Sequence, residues 1–401
     1  MWLRDSTNQM LSYLPFLQNG SSPIFASLYR GVINLQARYI QTQPFCNSFQ
    51  PPIEAQNSGM NITIATNEYA QRDVVHPPFS NLTVFECKYE LDSLAAFLEL
   101  SNAYHTATND TSFFASFQWA SAVQTVLNVA TAMRDTPTYA ENGMVNQSPY
   151  TFQRMTDSAS ETLLNMGIGS PVNSGTGLVR SAFRPSDDST IYQLFIPANM
   201  QFATHLASTS TIMSAMGQTA LASQMSSMSF SIRTAIETHG VYTDPKYGRI
   251  YAYEVDGYGS VNSMDDANIP SLLSAPVYGY VSASDPTYLA TRAKILSSDN
   301  PFFMRGPVIN AVGGPHQGPG MAWPMASVVR ILTSDNETEI VNALREIVSS
   351  TDGLGLIHES INTYNVTDWT REWFSWANGL FGQAILDLDI RMPQVLQMSY
   401  Q

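Results

Sequence analysis

Charge is scarce in this chain: Asp, Glu, Lys and Arg together make up 13% of its 401 residues. Basic residues are scarcer still, 19 against 33 acidic, for a formal net charge of −14. Lys and Arg nowhere form a cluster. Such a surface repels nucleic acid and anionic membranes, so both are poor partners and a neutral substrate suits it better. Apolar runs all fall short of a membrane span. The two cysteines, Cys46 and Cys87, are too few for a disulfide scaffold but enough for one bridge. There is no His-Glu-X-X-His, no Cys pair at zinc spacing and no EF-hand loop, so no metal site is expected. "GGPHQGPG" lacks the Lys and Ser/Thr of a phosphate loop, and the missing Gly-X-Ser-X-Gly elbow argues against a serine hydrolase. The opening "MWLRDSTNQM" has neither a basic n-region nor an apolar h-region.

Hydrophobic residues make up 44%, enough for a sizeable core. The length allows two or three domains or one large barrel. Helical periodicity dominates. In "SPIFASLYRGVINLQARYIQ" (22–41), Ile24, Phe25, Leu28, Val32, Ile33 and Leu35 fall roughly on one face. "LDSLAAFLELSNAYHTA", "SFFASFQWASAVQTVLNVATAMRD", "TIYQLFIPANMQFATHLASTSTIMSAM", "MSSMSFSIRTAIETHG", "PTYLATRAKIL" and "EWFSWANGLFGQAILDL" read the same way. In "SDNETEIVNALREIV", Ser334 with Glu337 suggests a capping box ahead of a buried stripe of Ile340, Val341, Leu344, Ile347 and Val348. Strand signals are few; "GRIYAYEVDGYG" (248–259) alternates like a hairpin arm. Helix, polar loop, helix, polar loop for most of the chain predicts one all-α array. Seven Asn-X-Ser/Thr sequons, at Asn19, Asn61, Asn81, Asn109, Asn146, Asn336 and Asn365, suggest a glycosylated protein of the secretory pathway.

The polar loops mix carboxylates with aromatics, Arg and His, and loops at one end of a helical barrel can meet. Sugars are bound by aromatic faces and by carboxylates and Arg on their hydroxyls, and glycoside hydrolysis adds a carboxyl pair. "RPSDD" offers Asp187 or Asp188 as a proton donor; spacing alone favours Ser186 or Asp187 as a helix N-cap. "MDDAN" (Asp265, Asp266) poses the same choice, capping first and hydroxyl binding second. In "GLIHESIN", Glu359 is a candidate base, and His358 reads as structural or hydroxyl-binding. Trp2, Trp323 and Trp373 sit beside polar motifs and suggest a sugar platform.

Taken in order, "MWLRDSTNQM", "KYELDSL", "SAFRPSDD", "YAYEVDGYGSVNSMDDANIPSLLSAP", "ILSSDNPFF", "GPHQGPGMAWP", "HESI" and "TREWFSWANGLF" resemble glycoside hydrolase family 125, the exo-α-1,6-mannosidases, from residue 1 to about residue 390. The resemblance implies an (α/α)6 barrel filling residues 1–401 as a single catalytic domain. It implies an inverting, metal-independent enzyme without cofactors, acting on terminal α-1,6-linked mannose of N-glycans or mannan-type oligosaccharides. It places the general acid at Asp187 and the base at Glu359. Arg184 and Asp188 would orient the acid or bind hydroxyls, and Trp2, Arg4, Asp5, Asp265, Asp266 and His316 would hold the terminal mannose. Gln383 stands where the family often has Glu, a change read as non-catalytic. The family also has chain ahead of "MWLRD", so the barrel's N-terminal helix is expected to be missing here. A non-catalytic mannose-binding protein is therefore the alternative; a polysaccharide lyase is a third reading that the net charge disfavours.

Overall fold

A computed structural model describes residues 1–17 and 22–400; the Asn19 sequon lies outside the described residues. Contacts divide the chain into two compact units, residues 1–7, 16–239 and 254–262 in the first and 8–15, 240–253 and 263–401 in the second. Thirteen α-helices occur among the described residues, with strands only in sheets of two or three. None of these helices is long and apolar enough to cross a membrane.

In the first unit, helix Ile196–Ala215 packs against both Leu91–Thr108 and Thr219–His239. It is buried on nearly every side, as is most of Leu91–Thr108. A helix surrounded by protein has little solvent face, so its apolar residues spread beyond a single stripe. Helix Pro23–Thr42 starts at Ser22, whose Oγ accepts from the Phe25 N–H, with Pro23 in the first turn. Its buried face is Tyr29, Ile33, Gln36, Ala37 and Ile40, not the Ile24/Leu28 face expected from periodicity. Ile24 is 80% exposed. The helix carries two apolar stripes, and packing against Leu91–Thr108 and Trp119–Asp135 selects the one with the tyrosine. Cys46 and Cys87 form a disulfide. It lies beside the short antiparallel pairing of Ser48–Phe49 with Val84–Glu86.

In the second unit, helix Pro324–Leu332 packs on Glu337–Ser349 and on Ser375–Arg391. The hairpin expected near residue 248 forms between Val241–Asp244 and Gly248–Tyr251. Strands Met321–Ala322, Ser360–Asn362 and Asn365–Thr370 make a three-stranded antiparallel sheet. Ile361 is buried there with Met304, Ile309, Ala311 and Ala322. The cap of Glu337–Ser349 falls two residues later than expected. Asn336 accepts from the Glu339 N–H at 3.1 Å, while Ser334 Oγ donates to the Glu339 carboxylate at 2.7 Å. Asn and Ser compete for the cap, and Asn336 stands at the reach its side chain needs.

Candidate active site

Asp187 is not a helix cap. The next helix starts only at Ile196, after a short strand Leu194–Phe195 that takes up the apolar residues expected to be helical. Asp187 instead ends a tight turn: its N–H donates to the Arg184 carbonyl at 2.9 Å, and the Arg184 N–H donates to the Asp188 carbonyl at 2.8 Å. Pro185 presets the second position of that turn. The closing residue must then take a left-handed backbone, and Asp187 does so at φ 67°. Asp is one of the few non-glycine residues that tolerates this region.

The Asp187 side chain is 26% exposed, but its surroundings are buried and charged. Asn47 Nδ2 donates both to Asp187 Oδ1 and to Glu90 Oε1, at 3.1 Å each. Arg4 lies 3.8 Å from Asp187 Oδ1. The Arg4 guanidinium also meets Glu90 at 2.5 Å, Asp92 at 3.1 Å and Asp5 at 3.4 Å. Burial works against the Arg4 charge, but Glu90, Asp5, Asp92 and Asp187 outweigh it and hold the group firmly protonated. Burial pushes the Glu90 carboxyl well up; Arg4 opposes this, while Asp187 and Asp92 add to it. Asp92 is pushed up to about 6 by burial, against Arg4. Crowded carboxyls of this kind favour holding a proton between them.

Lys88 reaches Asp187 from the other side, its Nζ donating to the Asp187 carbonyl at 2.8 Å and to Glu161 at 2.9 Å. Burial opposes its charge, and Glu86, Asp187 and Glu161 more than restore it. Arg184 turns inward, its Nε donating at 2.7 Å to Glu254, and both side chains are buried. Glu254 also accepts from the N–H groups of Ile191 and Tyr192 and from Asn262. Asp188 is buried and accepts from Ser186 Oγ at 2.8 Å. Trp2 and Asp5 are half-buried, Trp2 meeting Phe85 edge-on at 5.4 Å.

The second unit holds the other group of expected site residues. Asp265 and Asp266 precede turns, not an α-helix. Asp265 still acts as a cap, its two oxygens accepting from the N–H groups of Leu272 and Leu273 at 2.9 and 3.0 Å. Burial pushes its carboxyl up to about 8 against those two donors. Asp266 Oδ1 accepts from the N–H and side chain of Asn268. Its other oxygen lies where a Cβ on Gly314 would stand 2.8 Å away, so the glycine of "GGPHQ" is what lets that loop approach. His316 is half-buried and meets Trp323 edge-on at 6.3 Å. Trp323 is core, at 2% exposure, which removes it as a sugar platform, whereas Trp373 is 55% exposed.

Glu359 lies just before strand Ser360–Asn362. Its side chain is 6% exposed, with Arg371 Nε 3.4 Å from Oε1. Arg371 is itself left-handed, at φ 49°. His358 is fully buried, bonded through Nδ1 to the Glu372 carbonyl at 2.8 Å and stacked on Trp369 at 4.5 Å. These contacts fix the backbone from which Glu359 projects. The described residues contain no group of three or more His, Cys, Asp or Glu able to hold a metal ion.

Sequence reasoning missed Asn47, Lys88, Glu90, Asp92, Glu254 and Arg371 as site residues. Glu90 and Asp92 had a signal, two carboxylates within "KYELDS" in a charge-poor chain. Asn47 had none.

Comparison with known proteins identifies the family. Residues 1–386 match the family described as metal-independent alpha-mannosidase (GH125). The chain is 46% identical over 400 residues to the meiotically up-regulated gene 157 protein of Schizosaccharomyces pombe, covering 99% of this chain and 76% of that protein. It is 34% identical to a solved metal-independent alpha-mannosidase of Streptococcus pneumoniae in a non-productive complex with alpha-1,6-mannobiose. That match has a TM-score of 0.86 over 98% of this chain and 86% of the other. A GH78 rhamnosidase of Bacillus sp. GL1, at 11% identity and TM-score 0.55 over 97% of this chain and 32% of its own, shares the fold alone. The helix-dominated fold is of the (α/α)6 barrel glycosidase type. By sequence and by structure, then, the chain belongs to the metal-independent α-mannosidases of glycoside hydrolase family 125.

Proposed function

We propose that the protein is an inverting, exo-acting α-mannosidase that releases terminal α-1,6-linked mannose, with Asp187 as general acid and Glu359 as general base. The observation that carries the reading is the likeness to the solved S. pneumoniae enzyme bound to alpha-1,6-mannobiose. Asp187 gives its proton to the glycosidic oxygen as the C1–O bond breaks. A water attacks C1 from the opposite face, and Glu359 takes its proton. The products are β-mannose and the freed 6-hydroxyl of the remaining glycan. The surroundings suit these roles. Asp187 has the carboxyls of Glu90 and Asp92 as electrostatic neighbours, and Arg4 and Lys88 lie close enough to offset the charge of the carboxylate left after transfer. Arg371 Nε stands 3.4 Å from Glu359 Oε1, beside the carboxylate proposed as base. Trp2, Asp5 and His316 are proposed to contact the sugar. Arg4, Asp265 and Asp266 are proposed to hold the terminal mannose with them, and Arg184 and Asp188 to orient the acid or bind hydroxyls.

The test is release of mannose from α-1,6-mannobiose, followed by NMR. Asp187→Asn and Glu359→Gln should each lose about 10²-fold or more in kcat, with mannose binding kept. An α-mannose first product, or binding without turnover by the native chain, would refute the reading; the second result would mark a mannose-binding protein. A secretory location is also proposed. The Cys46–Cys87 bridge supports it, as does the exposure of Asn61, Asn81, Asn109, Asn336 and Asn365, with Asn146 half-buried. Endoglycosidase treatment of the native protein should lower its mass; an unchanged mass counts against glycosylation.

A further inference from the structure

The disulfide stands next to the proposed acid in an unusual way. Asn47 directly follows Cys46, and Lys88 directly follows Cys87. Both of these neighbours touch Asp187. Asn47 Nδ2 holds the Asp187 carboxyl and ties it to Glu90, at 3.1 Å each. Lys88 Nζ holds the Asp187 backbone carbonyl at 2.8 Å. The two are also tied to one another, Asn47 Oδ1 accepting from the Lys88 N–H at 3.1 Å. All four residues are buried. The strands that carry them, Ser48–Phe49 and Val84–Glu86, are paired over only two positions, with a register shift between them. So short a pairing does not fix a register by itself. The sulfur bridge, with Cα atoms 4.0 Å apart, joins the strands at the end where Asn47 and Lys88 leave them.

We propose that the Cys46–Cys87 disulfide sets the position of the catalytic acid, with Asn47 and Lys88 as positioning residues that grip the side chain and the backbone of Asp187. The left-handed turn at Asp187 fixes its backbone, and these contacts fix where that turn sits and where its carboxyl points. The proposal rests on Asp187 being the general acid.

Leaving-group dependence tests it. A mannoside whose leaving group is a good one, such as 2,4-dinitrophenolate, departs without a proton, whereas the sugar alkoxide of α-1,6-mannobiose needs one. Cys46→Ala/Cys87→Ala and Asn47→Ala should each lose about 10²-fold in kcat on the mannobiose and under about tenfold on the dinitrophenyl mannoside. Asp187→Asn should show the same contrast more strongly, and Glu359→Gln should lose both activities. Circular dichroism checks folding. Asn47→Ala, which leaves the bridge intact, decides the matter if the double cysteine variant does not fold. Equal losses on both substrates, or unchanged turnover of the mannobiose, overturn the proposal. If Asp187→Asn itself lacks the contrast, the acid assignment falls, and the proposal with it.

Discussion

Replacing Arg4 with leucine should destabilise the protein in a pH-dependent way. The guanidinium is buried and stands 2.5 Å from Glu90 and 3.1 Å from Asp92, two carboxyls without solvent exposure. Leucine keeps apolar bulk but leaves both carboxyls without their cation. Breaking a buried pair in this way costs about 3–5 kcal/mol. Unfolding entropy of about 2.1 cal/mol/K per residue gives about 0.8 kcal/mol/K for a chain of this length, so Tm should fall by about 4–6 °C at pH 8. The sign of the pH effect follows from Asp92, whose folded value is raised from 3.8 to about 6. A carboxyl raised on folding costs nothing below its unfolded value and destabilises progressively as pH rises through the folded one. Without Arg4 the folded value rises further, so the Tm deficit should shrink as pH falls from 8 towards 5. Thermal melts of both proteins across that range measure it. A deficit that is constant with pH, or under about 1 °C, would show that Arg4 does not compensate these charges.

Gly314→Ala should lower stability by about 1–3 kcal/mol, since its Cβ would stand 2.8 Å from the Asp266 carboxylate; an unchanged melt refutes the close approach. Glu99→Gln should flatten the loss of stability with rising pH around 7. Burial raises Glu99 to about 7 against the Gln201 hydrogen bond, so its ionisation destabilises the fold as pH climbs through that value; equal slopes for both proteins would contradict this. Mannose release should survive exhaustive chelation, and loss with rescue by calcium would defeat metal independence.

Much of this molecule was legible because helices announce themselves by period. Leu91–Thr108 and Pro286–Ile295 lie where the pattern put them, while Thr219–His239 begins six residues ahead of the expected start at Met225. The sequence misled where two local signals competed. Helix Pro23–Thr42 has two apolar stripes, and only tertiary packing chooses between them. At residues 194–195 a short strand delays the helix, so "PSDDSTIY" resembled a cap and was a turn. The loops were legible as motifs, but the partners of each carboxylate were not. Nothing near Asn47 in sequence signals that it reaches a residue 140 positions away. Nor does "RPSDD" reveal that Arg184 pairs with Glu254, 70 positions on.

The left-handed backbone at Asp187, the proposed acid, also limits what can replace it over generations. Only glycine, asparagine and aspartate occupy that region readily, and of these three only aspartate has a proton to transfer. The route out of catalysis is correspondingly short. A single base change converts an aspartate codon to an asparagine codon, keeps the turn, and retains an oxygen to accept from Asn47. A copy of this gene released from selection for hydrolysis would thus have a ready path to a well-folded protein that holds mannose and does not cleave it.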